Sequence, residues 1–264
     1  MRILILCTNY NTYEKAERYI DSVIKSAGKA GAIVDILVGD NSDPVKDISI
    51  KNTNCALEVI KTYSNLGYFG GITYAIKHSK ISLKEYDYII LSNVDLIVSE
   101  DFFTVLSDNK YRKNVGCIAP SIYSLDTHND RNPKMTARPS KRRLIVLRFM
   151  YQFPILFTTY VKYFRRKRVS DISLTPRVIY APHGSFMVFT SAAADFLQNM
   201  TFGAFMFCEE IFIGENMNRL QLQVLYDPTL KVIDSDHEST KRVKKNTIYK
   251  WNVDALSFIL NEYY

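Results

Sequence analysis

Tyr88-Ile89-Ile90-Leu91-Ser92-Asn93-Val94-Asp95 is the stretch on which the fold turns. Its apolar half reads as a buried strand. A polar pair, Asn93 and Asp95, then stands at the strand's carboxyl end, where ligands bind in open α/β sheets. A carboxylate there is a metal ligand, a ribose ligand or an ordinary strand-to-helix cap. The surrounding chain decides among the three.

Working outward, Arg2 to Cys7 reads as a first strand rather than a signal peptide, since no small-residue cleavage site follows it. The polar loop Thr8-Asn9-Tyr10-Asn11 comes next. Asn11 or Thr12 can cap a helix from Tyr13 to Ala27 whose inner face holds Ala16, Tyr19, Ile20, Val23, Ile24 and Ala27, with Gly28 and Gly31 ending it. Ile33 to Val38 is a second strand, closed by Gly39-Asp40-Asn41-Ser42-Asp43-Pro44. Leu57 to Ile60 is a third, followed by Asn65-Leu-Gly67-Tyr-Phe-Gly70-Gly71 and a helix over 72–79. A helix over 100–106 and a strand over 115–122 complete the first half. Strand and helix thus alternate at βαβ spacing, which predicts a largely parallel sheet with helices on both faces. Thr8–Asn11, Asp40–Asp43 and Asn93–Asp95 should then share its carboxyl edge.

Composition is that of a globular chain, 47% hydrophobic and 23% charged. Four cysteines with no Cys-x-x-Cys spacing read as free thiols in a reducing compartment, which argues against a structural zinc site. The net charge of +7 is local. Ten of the 34 Lys and Arg lie between Arg138 and Arg168, where there is no acid, and the remainder is slightly acidic. That distribution argues against a protein coating nucleic acid.

Within this segment, cations including Arg142, Arg143, Arg148, Arg165, Arg166 and Arg168 flank the uncharged run Phe149–Val161. That run carries Phe149, Tyr151, Phe153 and Phe157, and its 13 residues are too few to span a bilayer. Pro154 should end or split any helix there. An element lying in a membrane interface, aromatics inserted and cations on anionic headgroups, fits better than a helix pair covering the sheet. The polar stretch Asp126–Ser140, with two prolines, reads as a mobile loop.

The last third holds a turn and strand over 178–189, a helix start at Ser191, the aromatic run 202–207, Glu209-Glu210 and a helix to Leu220. Two short strands, Gln223–Tyr226 and Lys231–Ile233, follow on either side of Asp227-Pro228. His237 comes after the second, and a helix over 248–260 closes the chain. The cluster Gly67-Tyr-Phe-Gly70-Gly71 is neither a dinucleotide fingerprint nor a P-loop, because both fail on spacing. It serves ligand approach to a helix start or close backbone packing. Asp95 and His237 each follow an apolar strand, and together they suit a hard divalent ion. Glu209 and Glu210, beside aromatic walls, suit either helix-dipole complementation or general base work.

The ordered set of these pieces, over residues 3–240, resembles the inverting family 2 glycosyltransferases with a GT-A fold. It is most similar to the bacterial rhamnosyltransferase-type branch that builds O-antigen, capsule and other surface polysaccharides. The resemblance implies an α/β fold: a Rossmann-like, mostly parallel central sheet flanked by helices, in a single domain over 1–264. Residues 1–122 would bind the nucleotide-sugar, 123–177 would carry the loop and membrane-associating insertion, 178–240 would form the acceptor half, and 241–264 a tail helix. Thr8, Asn9, Tyr10, Asp40, Asn41, Asn65, Gly67, Gly71 and Asn93 would line the donor site. Asn93 stands at the first position of an Asp-x-Asp signature and Asp95 at its last, so Asp95 and His237 would hold Mn2+ or Mg2+. Glu210, or Glu209 beside it, would be the base.

The implied partners are a dTDP- or UDP-sugar, a lipid-linked saccharide acceptor and the inner face of the cytoplasmic membrane, with no nucleic acid. Departures from the family pattern are Glu210 for Asp, Phe212-Ile213 for Asp-Leu, and Gly39 for a common Val. A non-catalytic sugar-nucleotide-binding scaffold is the alternative. A nucleotidyltransferase would require a Gly-rich loop with a basic residue after the first strand, which Thr8–Asn11 does not supply.

Overall fold

The computed structural model describes residues 1–48, 55–153, 157, 175–235 and 243–264. Among these, the strands are β1 (Arg2–Asn9), β2 (Ile33–Asp40), β3 (Ala56–Lys61), β4 (Tyr88–Asn93), β5 (Leu96–Val98), β6 (Val115–Ser124), β7 (Asn129–Asp130), β8 (Arg177–Ile179), β9 (Phe186–Thr190) and β10 (Gln223–Asp234). The helices are α1 (Tyr13–Ala30), α2 (Tyr68–His78), α3 (Phe102–Asp108), α4 (Lys141–Gln152), α5 (Ala194–Gln198), α6 (Glu209–Arg219) and α7 (Lys245–Tyr263).

One sheet runs in the order β3-β2-β1-β4-β9-β6-β10-β5, with β7 beside β6 and β8 beside β10. β3, β2, β1 and β4 are parallel, as are β6 and β10. β9 enters antiparallel between β4 and β6, a reversal that its uniformly apolar sequence does not announce. Side chains alternate along β1 into two cores. Leu4 and Leu6 face α2, α6 and α7, whereas Ile3, Ile5 and Cys7 face α1 and α3. With both faces covered, the central strands are apolar throughout.

α1 buries the six residues expected of its inner face. Gly31, at φ 61°, supplies the left-handed cap, and Gly28 stays inside the last turn. α2 starts at Tyr68, earlier than its apolar pattern suggests, because Gly70 and Gly71 lie inside its first turns. A Cβ on Gly71 would come within 2.8 Å of the Thr8 side chain, and one on Gly39 within 2.4 Å of the Gly71 carbonyl oxygen. The glycine at position 39, unusual for the resembled family, thus lets α2 lie against the end of β2.

Two expectations are corrected. The two short strands around Asp227-Pro228 are one strand, β10, with a register shift between Asp227 and Lys231. Asp227 Oδ1 accepts from the Thr229 amide and hydroxyl, so the turn is absorbed as a bulge. Asp126–Ser140 is a structured connection, because its polar groups satisfy one another. Asp130 Oδ1 accepts from the amides of Ile122 and Asn132, each at 2.9 Å, and Met135 bridges to Ala181. The closing helix forms as expected, over a slightly longer span, and packs into the core. Ala255, Leu256 and Ile259 are buried, and Glu215 of α6 accepts from Arg138, Tyr180 and Tyr264, which joins α6 to the end of the chain.

α4 ends at Gln152, two residues before Pro154, as the proline requires. Its inner side packs on α7: Tyr151 meets Tyr249, and Arg148 donates to the Ser257 hydroxyl. No helix among the described residues is long and apolar enough to cross a membrane.

Candidate active site

The register of the parallel strands brings the polar loops together. Asn9 pairs with Asp40, and Thr8 with Asn93, so all three loops leave the same edge of the sheet. Asp40 is fully buried there. Its Oδ1 accepts from Asn9 Nδ2 at 3.1 Å and from the Ser42 hydroxyl at 2.6 Å, and its Oδ2 accepts from the Tyr13 hydroxyl at 2.9 Å. Asn9, also buried, accepts from the amide and hydroxyl of Thr12. This network shapes the loop from which half-exposed Tyr10 projects.

Asn41 is the link to the glycine loop. Its Nδ2 donates to the Gly67 carbonyl at 2.9 Å, and its Oδ1 accepts from Thr62 at 2.8 Å. Asn65 Oδ1 accepts from the Gly67 amide. Gly67 adopts φ 76° and ψ −175°, a region reserved for glycine, and a Cβ there would lie 2.0 Å from the Phe205 carbonyl oxygen. The glycine loop therefore seats against the aromatic segment of the second half. The Thr8 hydroxyl donates to the Tyr68 carbonyl at 2.9 Å, fixing the start of α2 onto β1.

Asn93 is held by its backbone amide, which donates to the Ser185 carbonyl at 2.8 Å, and its side chain stays only partly buried at the edge. Asp95 lies two residues on. Burial, and then the neighbouring Asp234, push its carboxyl up to about 6. Asp234 is paired with Arg131, whereas Asp95 has no ion-pairing partner among the described residues. A half-buried carboxylate near a second one, with no ion pair of its own among the described residues, fits a divalent ion. Among the described residues no cluster of three or more His, Cys, Asp or Glu is present. His237, Arg165, Arg166 and Arg168 lie outside the described residues.

Opposite, Phe207 and Cys208 take successive left-handed conformations, φ 74° and 64°, before α6 begins. Side chains rarely adopt that region, and such strain concentrates at functional sites. The turn aims both glutamates inward. Glu209 is buried, with its Oε1 accepting from the Phe207 amide at 2.9 Å, and burial and then Glu210 push its carboxyl up to about 8. Glu210 lies 3.3 Å from the Lys134 ammonium. Burial works against its ionisation, but Lys134 and His183 outweigh that and hold it below its usual value. Gly184 faces the Glu210 carboxyl with no side chain of its own.

Lys134, His183 and Tyr68 were not singled out from the sequence. Lys134 sits in the polar stretch that resembled a mobile loop, and His183 in an ordinary turn. His183 is oriented by the Ser185 amide, which donates to its Nδ1. Burial raises the Tyr68 hydroxyl well above its ordinary value, and the charges of Glu209 and Asp95 add to the effect. Phe212, where the resembled family has Asp, is buried among Phe69, Phe202 and Phe258 and serves packing.

No family model matches this chain, and no curated protein sequence matches it. Among solved structures it is similar to that of GalNAc-T7 with UDP, GalNAc and Mn2+, at a TM-score of 0.56 and 12% identity. The match covers 98% of this chain and 47% of the other, so the chain spans about half the length of that protein. At such identity the likeness is one of fold, and it agrees with the α/β, GT-A-type sheet expected from the sequence.

Proposed function

We propose that this chain is an inverting glycosyltransferase that moves a sugar from a nucleotide-diphosphate donor to a hydroxyl of a saccharide acceptor. The observation that carries this reading is the convergence of Asn93 and Asp95 with the strained Phe207–Glu210 turn at the carboxyl edge of the sheet. It is supported by the fold shared with a protein crystallised with UDP, GalNAc and Mn2+. Thr8–Asn11, Asp40–Ser42 and Asn65–Gly71 shape the nucleotide side, and Asn93 offers its amide to the donor. Asp95, with His237, would hold Mn2+ or Mg2+. That ion would supply charge stabilisation for the diphosphate.

On the other side, Glu210 takes the proton of the acceptor hydroxyl as that oxygen bonds to the anomeric carbon. The bond from that carbon to the diphosphate breaks, the diphosphate leaves with the electron pair, and configuration inverts. Lys134 keeps Glu210 ionised and ready, at some cost in basicity. Melting in the presence of Mn2+ with UDP or dTDP tests the reading. A rise of several degrees that needs both components is expected, followed by donor hydrolysis in a panel of UDP- and dTDP-sugars. Binding without turnover across the panel would favour the scaffold.

The acceptor is proposed to be a lipid-linked saccharide of bacterial surface-polysaccharide synthesis, reached at the inner face of the membrane. α4 supports this. Ile145, Val146, Phe149 and Phe153 are 43–52% exposed along its outer side, and Lys141, Arg142 and Arg143 stand exposed in its first turn. Lys141 also donates to a Tyr264 main-chain oxygen, and apolar side chains beside this basic turn suit an anionic bilayer. Replacing Phe149 and Phe153 together by Ser should cut flotation with anionic vesicles at least about tenfold, since each ring gains ~1.5–3 kcal/mol on burial. Undiminished flotation would refute membrane docking by this face.

A further inference from the structure

Tyr68 is the first residue of α2, and its main chain is fixed on both sides. The glycine-only conformation of Gly67 precedes it, and its own carbonyl accepts from Thr8 at 2.9 Å. Its ring leans on Phe69, with centroids 5.1 Å apart. The hydroxyl is sealed from solvent and has no hydrogen-bond partner among the described residues. By contrast, the nearby Tyr19 hydroxyl is paired with Ser92.

Burying a hydroxyl without a partner costs free energy, and phenylalanine would fill the same space without that cost. The neighbours indicate what the hydroxyl awaits. Tyr19, Glu209, Cys7 and Asp95 are the groups whose charge it would feel. Burial, before those neighbours, keeps the phenol protonated at every physiological pH, so it acts as a donor. A neutral, buried O–H donor without a partner among the described residues, at the start of a helix seated on the nucleotide-side loop, calls for an acceptor oxygen.

Resting on the glycosyltransferase reading, we propose that the Tyr68 hydroxyl donates a hydrogen bond to the diphosphate of the bound sugar nucleotide and stabilises it as leaving group. Because the hydroxyl is sealed in the free chain, donor binding must shift the side chains over it, and the bond then forms away from water. Donors aimed at developing charge in such sites contribute about 10²–10³-fold in turnover.

Tyr68→Phe separates this role from a structural one. The free variant should melt at or above the wild-type temperature, since an unsatisfied group is removed. Its kcat should fall about 10²-fold with acceptor KM unchanged, and its affinity for UDP or dTDP with Mn2+ should weaken while that for the free nucleoside does not. A lower melting temperature of the free variant would make the hydroxyl structural and overturn the proposal. Wild-type turnover and diphosphate affinity in the variant would overturn it while leaving the glycosyltransferase reading intact. A wild-type chain that binds neither UDP nor dTDP with Mn2+ would overturn both.

Discussion

Asp95→Ala is expected to lower transfer by about 10³-fold or more, because a lost metal ligand forfeits several kcal/mol of leaving-group stabilisation. The free variant should melt at or above the wild-type temperature. Asp95 is half-buried near Asp234 with no paired cation among the described residues, and desolvation and that neighbour both disfavour its charged form, so its removal relieves repulsion. The two effects together are diagnostic. A merely structural aspartate would lower the melting temperature, and a spectator would leave transfer intact. Calorimetry should also show the combined stabilisation by Mn2+ and UDP or dTDP disappearing. An active Asp95→Ala enzyme would remove this residue from the metal site.

Glu210→Gln should cost about 10²–10⁴-fold in turnover, the usual share of a general base, with donor affinity kept. The pH dependence then identifies which glutamate acts. Glu210 is held below its usual value, so with Glu210 as base kcat/KM stays level through neutral pH and declines only in acid. With Glu209 as base, activity would climb until about pH 8, where that carboxyl ionises. Stability carries the opposite signature of Glu209. Its folded value is raised, so the folded chain keeps a proton that the unfolded chain has released. Stability should therefore fall as pH rises from 4.5 through about 8, and Glu209→Gln should flatten that slope.

The half of the site built on β1, β2 and β4 was legible in the sequence. Each strand is an apolar run closed by a polar loop, and parallel pairing forces such loops to one edge. The inner face of α1 followed from its period in the same way. Direction and distant pairing were not legible. β9 is apolar at almost every position, and nothing in its composition tells a parallel strand from an antiparallel one. Lys134 reaches Glu210 only because Asp130 and Asn132 fold the connection around it back onto β6 and His183. Hydrogen bonds that satisfy a loop internally leave the same polar composition as a loop that stays loose. Tyr68 was hidden for another reason: beside three glycines it resembles filler, and only its buried, unmatched oxygen marks it.

Gly39 sets how closely α2 approaches the end of β2. With no side chain there, the Gly71 carbonyl rests almost against the main chain of β2, nearer than any methyl group would permit. Were the valine common in the resembled family present, α2 would have to stand off by roughly the width of a carbon atom. Tyr68 and the glycine turn before it would be carried outward as well. Importing that valine to make the chain more typical would therefore lift α2 off the end of β2 and unseat the glycine turn that the Asn41 and Asn65 side chains hold.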